Sequence, residues 1–392
     1  METETPAIER EVESILSLIK SIRHHLHANP ELALKEHETS RYIRSRLAEQ
    51  DIEALPPFLE TDVVAIINGK EPGRNVTLRA DMDALPLQEA TDLPYRSLQP
   101  DLMHACGHDG HMAMLIGAAI VLKRMQESFS GSVRLVFQPG EEVVAAGKEL
   151  VARGALNDPR PDAVLAMHAW GGHPLGVIGS KPGVMMAAAD FFRITIKGKG
   201  GHGSRPERTI DPILTATRVI NSIYAIPSRM IGALEPVVIS VCSIHGGQNC
   251  NIIPDQVVLE GTLRYLSKTV GEKLPALFEH ALKTECEIAG ASYNLEYSRT
   301  YIPTVNDAGV VAVCKAVAGR FLGASSWTDL GEATMGSEDF SYYIEHHPGA
   351  MFFLGMGQDS RQLHNNQFDF NDGALRNGIL FFVHATLELL RS

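Results

Sequence analysis

The sequence predicts an α/β protein in two parts: a larger domain on a mostly parallel sheet, interrupted by a smaller inserted βαββαβ domain of ferredoxin-like order. Three observations predict it. The chain has 392 residues, more than the roughly 250 to 300 at which a single hydrophobic core stops growing. Up to residue 187, and again from residue 304, short apolar runs alternate with amphipathic stretches, the pattern of parallel strands joined by helices. Between residues 188 and 303 the order changes to strand, helix, two strands, helix and strand, which suits a small sheet with two helices on one face. The expected divisions are therefore 1–187, 188–303 and 304–392.

Taken in order, the opening METETPAIEREVESILSLIKSIRHHLH carries acids where a secretory leader carries bases. Its apolar residues recur at helical spacing, so a surface helix is expected. Residues 75–80 (NVTLRA), 132–137 (SVRLVF) and 163–167 (AVLAM) read as buried strands, and residues 112–125 as a helix between them. In the insert, strands are expected at 190–200, 236–247, 256–266 and 293–301, with helices at 211–226 and 270–289. A further apolar strand at 350–354 and a final helix from Asp372 complete the larger domain.

Bulk properties narrow the class. With 35 Lys and Arg against 47 Asp and Glu, the net charge of −12 repels polyanions, so nucleic acid is not an expected partner. No run approaches the ~20 apolar residues needed to span a bilayer, so no membrane association is expected. Five cysteines, an odd number spread thinly, argue against a disulfide framework and for a reducing compartment, the cytoplasm.

Four polar clusters fall where a ligand site of an open α/β sheet belongs, beyond the carboxyl ends of strands. Asp81 and Asp83 (RADMDALP) follow the first strand, Glu141 and Glu142 (FQPGEE) the second, and His168 the third; Cys106 and His108 (HACGHDGH) precede a helix. Each has an ordinary reading alone. A short Cys/His motif is often a helix start with a buried thiol, adjacent acids are usually a solvated face, and a lone histidine such as His168 or His364 is usually a satisfied core residue. Together they match a metal hydrolase: thiolate and imidazole as ligands of a borderline divalent ion, one carboxylate on the metal, and its neighbour on a water.

These motifs, with RHHLHANPEL, MHAW, GKGGHGSRP, GGQNCNIIPD, GSEDFSYY and LHNNQFDFND in order along nearly the whole chain, resemble the M20 metallopeptidases. The nearest branch is the amidohydrolases that include hippurate hydrolases, aminoacylases and auxin-conjugate hydrolases. The resemblance implies a di-metal hydrolase domain carrying a lid and dimerisation domain. It makes Cys106, His108, Glu142, His168 and His364 the ligands of two divalent ions (Mn²⁺, Zn²⁺, Ni²⁺ or Co²⁺), with Cys106 bridging. Glu141 becomes the general base and Asp83 the acid that orients a ligand imidazole. His202 matches a lid histidine that steadies the oxyanion, Asn251 a substrate-contacting position, and Arg264 a candidate partner for the substrate carboxylate. Peptidase branches place His-x-Asp at Asp81-Met82-Asp83 and a bridging Asp at Cys106, which leaves the role of Asp81 open. The implied activity is hydrolysis of N-acyl amino acids, of N-acetyl or N-benzoyl type, by a homodimer or tetramer assembled through the lid. The alternatives are a di-metal dipeptidase or aminopeptidase, a deacetylase of the N-acetyl-diaminopimelate type, and a non-catalytic binding protein of the same fold.

Overall fold

Apolar runs bounded by turns are stable in water only inside a covered sheet. Four of them, β1 (Val63–Asn68), β2 (Asn75–Asp81), β3 (Ser132–Gln138) and β4 (Ala163–Trp170), are strands in the computed structural model, which describes residues 5–391. Every residue of β2 and β3 is buried. With β5 (Ile178–Ser180) and the strands Trp327–Asp329 and Gly349–Gly355 they form one seven-stranded sheet. Its order is β1, β3, β2, β4, 349–355, β5, 327–329. The central pairs β3/β2, β2/β4 and β4/349–355 are parallel, while β1 runs antiparallel to β3 at the edge. The carboxyl ends of β2, β3 and β4 consequently lie along one rim.

Helices cover this sheet because their apolar faces have no other place to go. In α1 (Thr5–Ala28) the residues Ile8, Val12, Ile15, Ile19, Ile22 and Leu26 recur every three or four positions and are buried. In α3 (His108–Arg124) residues 108–122 are buried on every side, so the helix that starts at the site is locked in the core. The first four residues of the opening segment lie outside the described residues.

One feature of α1 departs from a simple amphipathic helix. Arg23 and His27 share its buried stripe and are fully buried. Arg23 Nη1 lies 3.2 Å from Asp109 Oδ2 and 2.7 Å from Asp369 Oδ1, and its Nε 2.8 Å from Asp372 Oδ1. His27 contacts Asp109 through Nδ1 at 2.9 Å and Glu89 through Nε2 at 3.3 Å. Charges enter an interior only when paired. Here the pairing ties α1 to Asp109, the second residue of α3, and to the segment before the C-terminal helix Leu375–Arg391.

Residues 186–304 together with 333–338 form a second compact unit. Its strands Ala188–Lys197, Val237–Gly246, Gln256–Tyr265 and Ser292–Tyr301 make an antiparallel sheet in the order 292–301, 188–197, 256–265, 237–246. The helices Pro212–Arg229 and Lys268–Ala289 share one apolar core with it, joining Val219, Ile223, Leu274 and Phe278 to Phe192, Ile194 and Leu259. Asp211 and Ser267 cap these helices by accepting from Leu214 N and Val270 N. Residues 333–338, expected in the larger domain, cluster here instead. The Ala187 N–H bonds the carbonyls of Thr334 and Gly336, and Arg264 Nη1 donates to Met335 O at 3.0 Å and Ser337 Oγ at 3.2 Å.

The α1 network has a pH signature. Burial opposes protonation of His27, but Asp109 and Glu89 outweigh it and raise its pKa from 6.5 to about 9. A raised folded-state pKa contributes stability that is present below the unfolded value and lost as pH climbs through the folded one. Urea unfolding of the wild type is expected to show stability falling between pH 6.5 and 9, a fall missing from His27→Gln. Identical pH slopes in the two proteins would contradict this account.

Candidate metal centre

Side chains at the carboxyl ends of parallel strands stand beyond the ladder and can face a common point. Asp81 is the last residue of β2, and His168 lies two residues before the end of β4. After β3 the chain passes Pro139 and Gly140 into the one-turn helix α4 (Glu141–Val144), so the two glutamates open a helix. Cys106 and His108 flank Gly107, whose φ of +88° is in the left-handed region. A Cβ there would come within 3.0 Å of the Ala169 Cβ. Glycine therefore serves both the turn into α3 and its close approach to β4.

Asp83 organises the next layer. Its Oδ1 accepts the Glu141 N–H and its Oδ2 the Glu142 N–H, each at 3.0 Å. Its main-chain carbonyl accepts from His108 Nδ1 at 2.7 Å. Adjacent helix positions point in different directions, so pinning both amides gives the two glutamates fixed and divergent aims. The resemblance expects Asp83 to orient a ligand imidazole; the hold on His108 runs through the carbonyl, with the carboxylate Oδ1 at 3.5 Å.

Hydrogen bonds decide which nitrogens are available. His108 gives its Nδ1 proton to the Asp83 carbonyl, which leaves Nε2 unpartnered and buried. His168 gives its Nδ1 proton to Ala169 O at 2.7 Å, and its Nε2 faces Cys106 Sγ at 3.4 Å. His364, itself at φ +63°, is placed by its N–H to Ala105 O at 2.8 Å. Its Nε2 is 3.2 Å from Glu142 Oε1, ion-pair distance without hydrogen-bond alignment, and that buried oxygen has no hydrogen-bond partner.

His111 is the residue the sequence reading missed. It stands three positions after His108 on the same helix, the third histidine of HACGHDGH, and neighbours at that spacing share a face. Its Nε2 accepts the Ala169 N–H at 2.7 Å, so its proton is on Nδ1, which donates to Asp81 Oδ1 at 2.6 Å. Both ring nitrogens are engaged. Asp81 gives its other oxygen to Arg79 Nη1 at 2.8 Å. The pair ties the end of β2 to the strand that carries His168.

Ligand-type atoms of Cys106, Glu142 and His364 lie within 4.8 Å of one another, as do those of Asp81, His108, His111 and His168, and those of His108, Glu141 and Glu142. Charge shows that these overlapping groups suit cations. Burial lifts the Cys106 thiol well above its ordinary pKa, and Glu142, Glu141 and Asp81 raise it further. Burial opposes protonation of His108, yet Asp81, Asp83 and Glu142 push it up to about 10. An imidazole that seeks a proton in spite of its burial registers surplus negative charge, and the carboxylates add to the burial that holds the thiol's proton. Divalent ions would reverse both, since a coordinating thiol ionises outright and a ligating imidazole is neutral. The orphaned His108 Nε2 and Glu142 Oε1, with S, N and O donors converging, fit such ions.

On the second unit, His202 and Asn251 are exposed neighbours, brought together where Gly201–His202 pairs with Ile252–Ile253. His202 Nδ1 accepts the Ser204 N–H at 3.1 Å, which places the ring proton on Nε2. Arg264 is half-buried, with Nη1 committed to the 333–338 segment.

A fold of this kind with a metal-suited rim defines a class, and comparison with known proteins supplies the family. The sequence matches the Peptidase family M20/M25/M40 over residues 77–388, and the chain belongs to that family. It is 37% identical over 390 residues to Thermostable carboxypeptidase 2 of Saccharolobus solfataricus, with 97% of each chain covered. It is 38% identical over 377 residues to N-acetylcysteine deacetylase of Bacillus subtilis, with 95% of this chain and 97% of that one covered. A solved Bacillus subtilis structure, a dinuclear metal binding peptidase from the M20 family, superposes with a TM-score of 0.83 at 32% identity over 97% of this chain and 99% of that one.

Removing a partner that orients a metal ligand weakens metal binding by about 10- to 100-fold. His111→Ala is expected to show such a loss in competition titrations with a chromogenic chelator. Wild-type affinity in that variant would leave the brace without a function.

Proposed function

We propose that this chain is a metal-dependent amidohydrolase that cleaves the amide bond of N-acyl amino acids into a carboxylic acid and a free amino acid. The observation that carries this reading is the Glu141-Glu142 pair on amides pinned by Asp83, with Glu142 Oε1 set between His108 and His364. Cys106, His108, Glu142, His168 and His364 hold two divalent ions, drawn from Mn²⁺, Zn²⁺, Ni²⁺ and Co²⁺. Bound there, such ions supply Lewis acidity toward the amide carbonyl and lower the pKa of a nucleophilic water. Glu141 takes the water's proton and returns it to the departing amine. Asp83 keeps the backbone under Glu141 still while the proton moves.

In this reading His202 offers its exposed Nε2–H to the developing oxyanion, an interaction whose loss typically lowers turnover about 10²- to 10³-fold. Asn251 contacts substrate, and the nitrogens of Arg264 other than Nη1 bind the amino-acid carboxylate. The functional form is a homodimer assembled through the second unit. Five free cysteines support a reducing, cytoplasmic setting. No helix among the described residues is long and apolar enough to cross a membrane.

A second reading follows from the relative named a carboxypeptidase. That enzyme class cuts the same kind of bond, with a peptidyl group in place of a small acyl group. A panel of N-acetyl and N-benzoyl amino acids run beside dipeptides and longer peptides separates the two; exclusive turnover of peptides would overturn the N-acyl assignment.

Two outcomes test the chemistry. Glu141→Gln is expected to keep wild-type metal content by mass spectrometry while kcat falls about 10²- to 10⁴-fold; joint loss of metal and activity would reverse the roles of the two glutamates. Chelation is expected to abolish hydrolysis and one of the four named ions to restore it. Full turnover in verified metal-free protein would end the metal-dependent reading.

A further inference from the structure

One buried carboxylate lies outside the chemistry described so far. Glu36, immediately before α2 (His37–Ala48), is fully buried. Its Oε1 accepts the N–H of Leu34 and the N–H of Gly140, each at 3.0 Å, and its Oε2 accepts the Thr61 hydroxyl at 2.9 Å. Leu34 and Gly140 both occupy the left-handed region, at φ +61° and +63°. That conformation is unfavourable for leucine and persists only where its surroundings enforce it. One oxygen thus fastens two left-handed residues from distant parts of the chain.

The consequence reaches the two glutamates. Three successive amides, of Gly140, Glu141 and Glu142, end on two buried carboxylates: Glu36 takes the first and Asp83 the next two. The first four N–H groups of any helix lack partners within it, and α4 has only four residues. One turn is too short a ladder to hold its direction alone, so much of that direction is imposed from outside. Asp83 grips the start of the helix, and Glu36 grips the residue from which it springs.

We propose that Glu36 is a positioning residue of this centre, holding Gly140 so that Glu141, the next residue along, keeps its aim. The proposal rests on the reading of Glu141 as the proton carrier and adds the residue that directs it. Its hydrogen bonds go to Leu34, Gly140 and Thr61 and to none of the proposed ligands.

Two substitutions separate positioning from packing. Glu36→Gln keeps an oxygen for both amides and can turn its NH₂ to the Thr61 hydroxyl. Glu36→Leu keeps the bulk and removes every acceptor. The readouts, on metal-loaded full-length protein, are kcat, KM, bound metal, and amide hydrogen exchange over residues 138–146. Misplacement of a catalytic group by about 1 Å can cost about 10²-fold in rate, so Glu36→Leu is expected to lose about that much kcat with KM and metal content near wild type. Glu36→Gln is expected to stay within about 3-fold of wild type, far inside that range. Exchange at 140–142 should quicken in the leucine variant alone. The proposal is overturned by wild-type kcat in Glu36→Leu, by a kcat loss that tracks metal loss, or by equal damage from glutamine. The exchange arm needs no substrate. Protection lost with leucine and kept with glutamine supports the tie even if the wild type proved inactive on N-acyl amino acids, and unchanged protection overturns it whatever the activity. Should Glu36→Leu not fold, Glu36→Asp withdraws the carboxylate by one methylene and carries the same readouts, with full kcat and unchanged protection as the overturning result.

Discussion

Asp83 makes three hydrogen bonds on which the rest of the centre depends. Its two carboxylate oxygens hold the amides of Glu141 and Glu142, and its carbonyl holds His108 Nδ1. One residue thereby sets the direction of two acids and the tautomer of an imidazole, on elements that arrive from β3 and α3. A helix of ordinary length would hold its own axis through internal hydrogen bonds. With α4 confined to one turn, the orientation of the glutamates has been transferred to acceptors elsewhere in the fold, and these must be buried and rigid to be effective.

Such acceptors are costly to bury unless paired, and the rim shows how the cost is met. Arg79 on β2 donates to Gln138 Oε1 at 3.0 Å, to Asp81 Oδ2 at 2.8 Å and to Asp339 Oδ1 at 2.8 Å. Asp339 in turn accepts from Gln138 Nε2 at 2.7 Å and from the Gly147 N–H at 2.8 Å. One guanidinium thus links the ends of β2 and β3 to the chain that follows α4. Removing a single member of a buried network of this kind leaves an uncompensated charge, typically worth about 3 to 5 kcal/mol. The surplus negative charge that survives is concentrated around His108 and Cys106, where divalent cations fit.

How much of this was legible in the sequence depended on whether the signal was local. The strands NVTLRA, SVRLVF and AVLAM were readable because apolar, β-branched runs between turn residues permit little else, and each proved one or more residues longer. The clusters at their ends were readable because a strand end fixes where a polar residue points. Residues whose meaning lies in a distant partner were not readable. Arg23 and His27 looked like the polar side of a surface helix, yet Asp109, Asp369, Asp372 and Glu89 draw them inside. Glu36 takes its meaning from Thr61 and Gly140, far from it along the chain. The shift of residues 333–338 to the second unit turns on hydrogen bonds from Ala187 and Arg264, and no local pattern encodes those.

His111 shows what distance alone leaves undecided. It sits in the same group of ligand-type atoms as His108 and His168, with the same side-chain chemistry and the same burial. What separates it is the fate of its nitrogens. A backbone amide hydrogen can only be donated, so the Ala169 N–H occupies the Nε2 lone pair and forces the proton to Nδ1, where Asp81 receives it. His108 and His168 have the opposite arrangement: each gives its Nδ1 proton to a carbonyl and leaves Nε2 without a main-chain partner. Three histidines within one cluster thus divide into two whose Nε2 the main chain leaves open and one brace. The division is set by whether the main chain presents a carbonyl or an N–H to each ring.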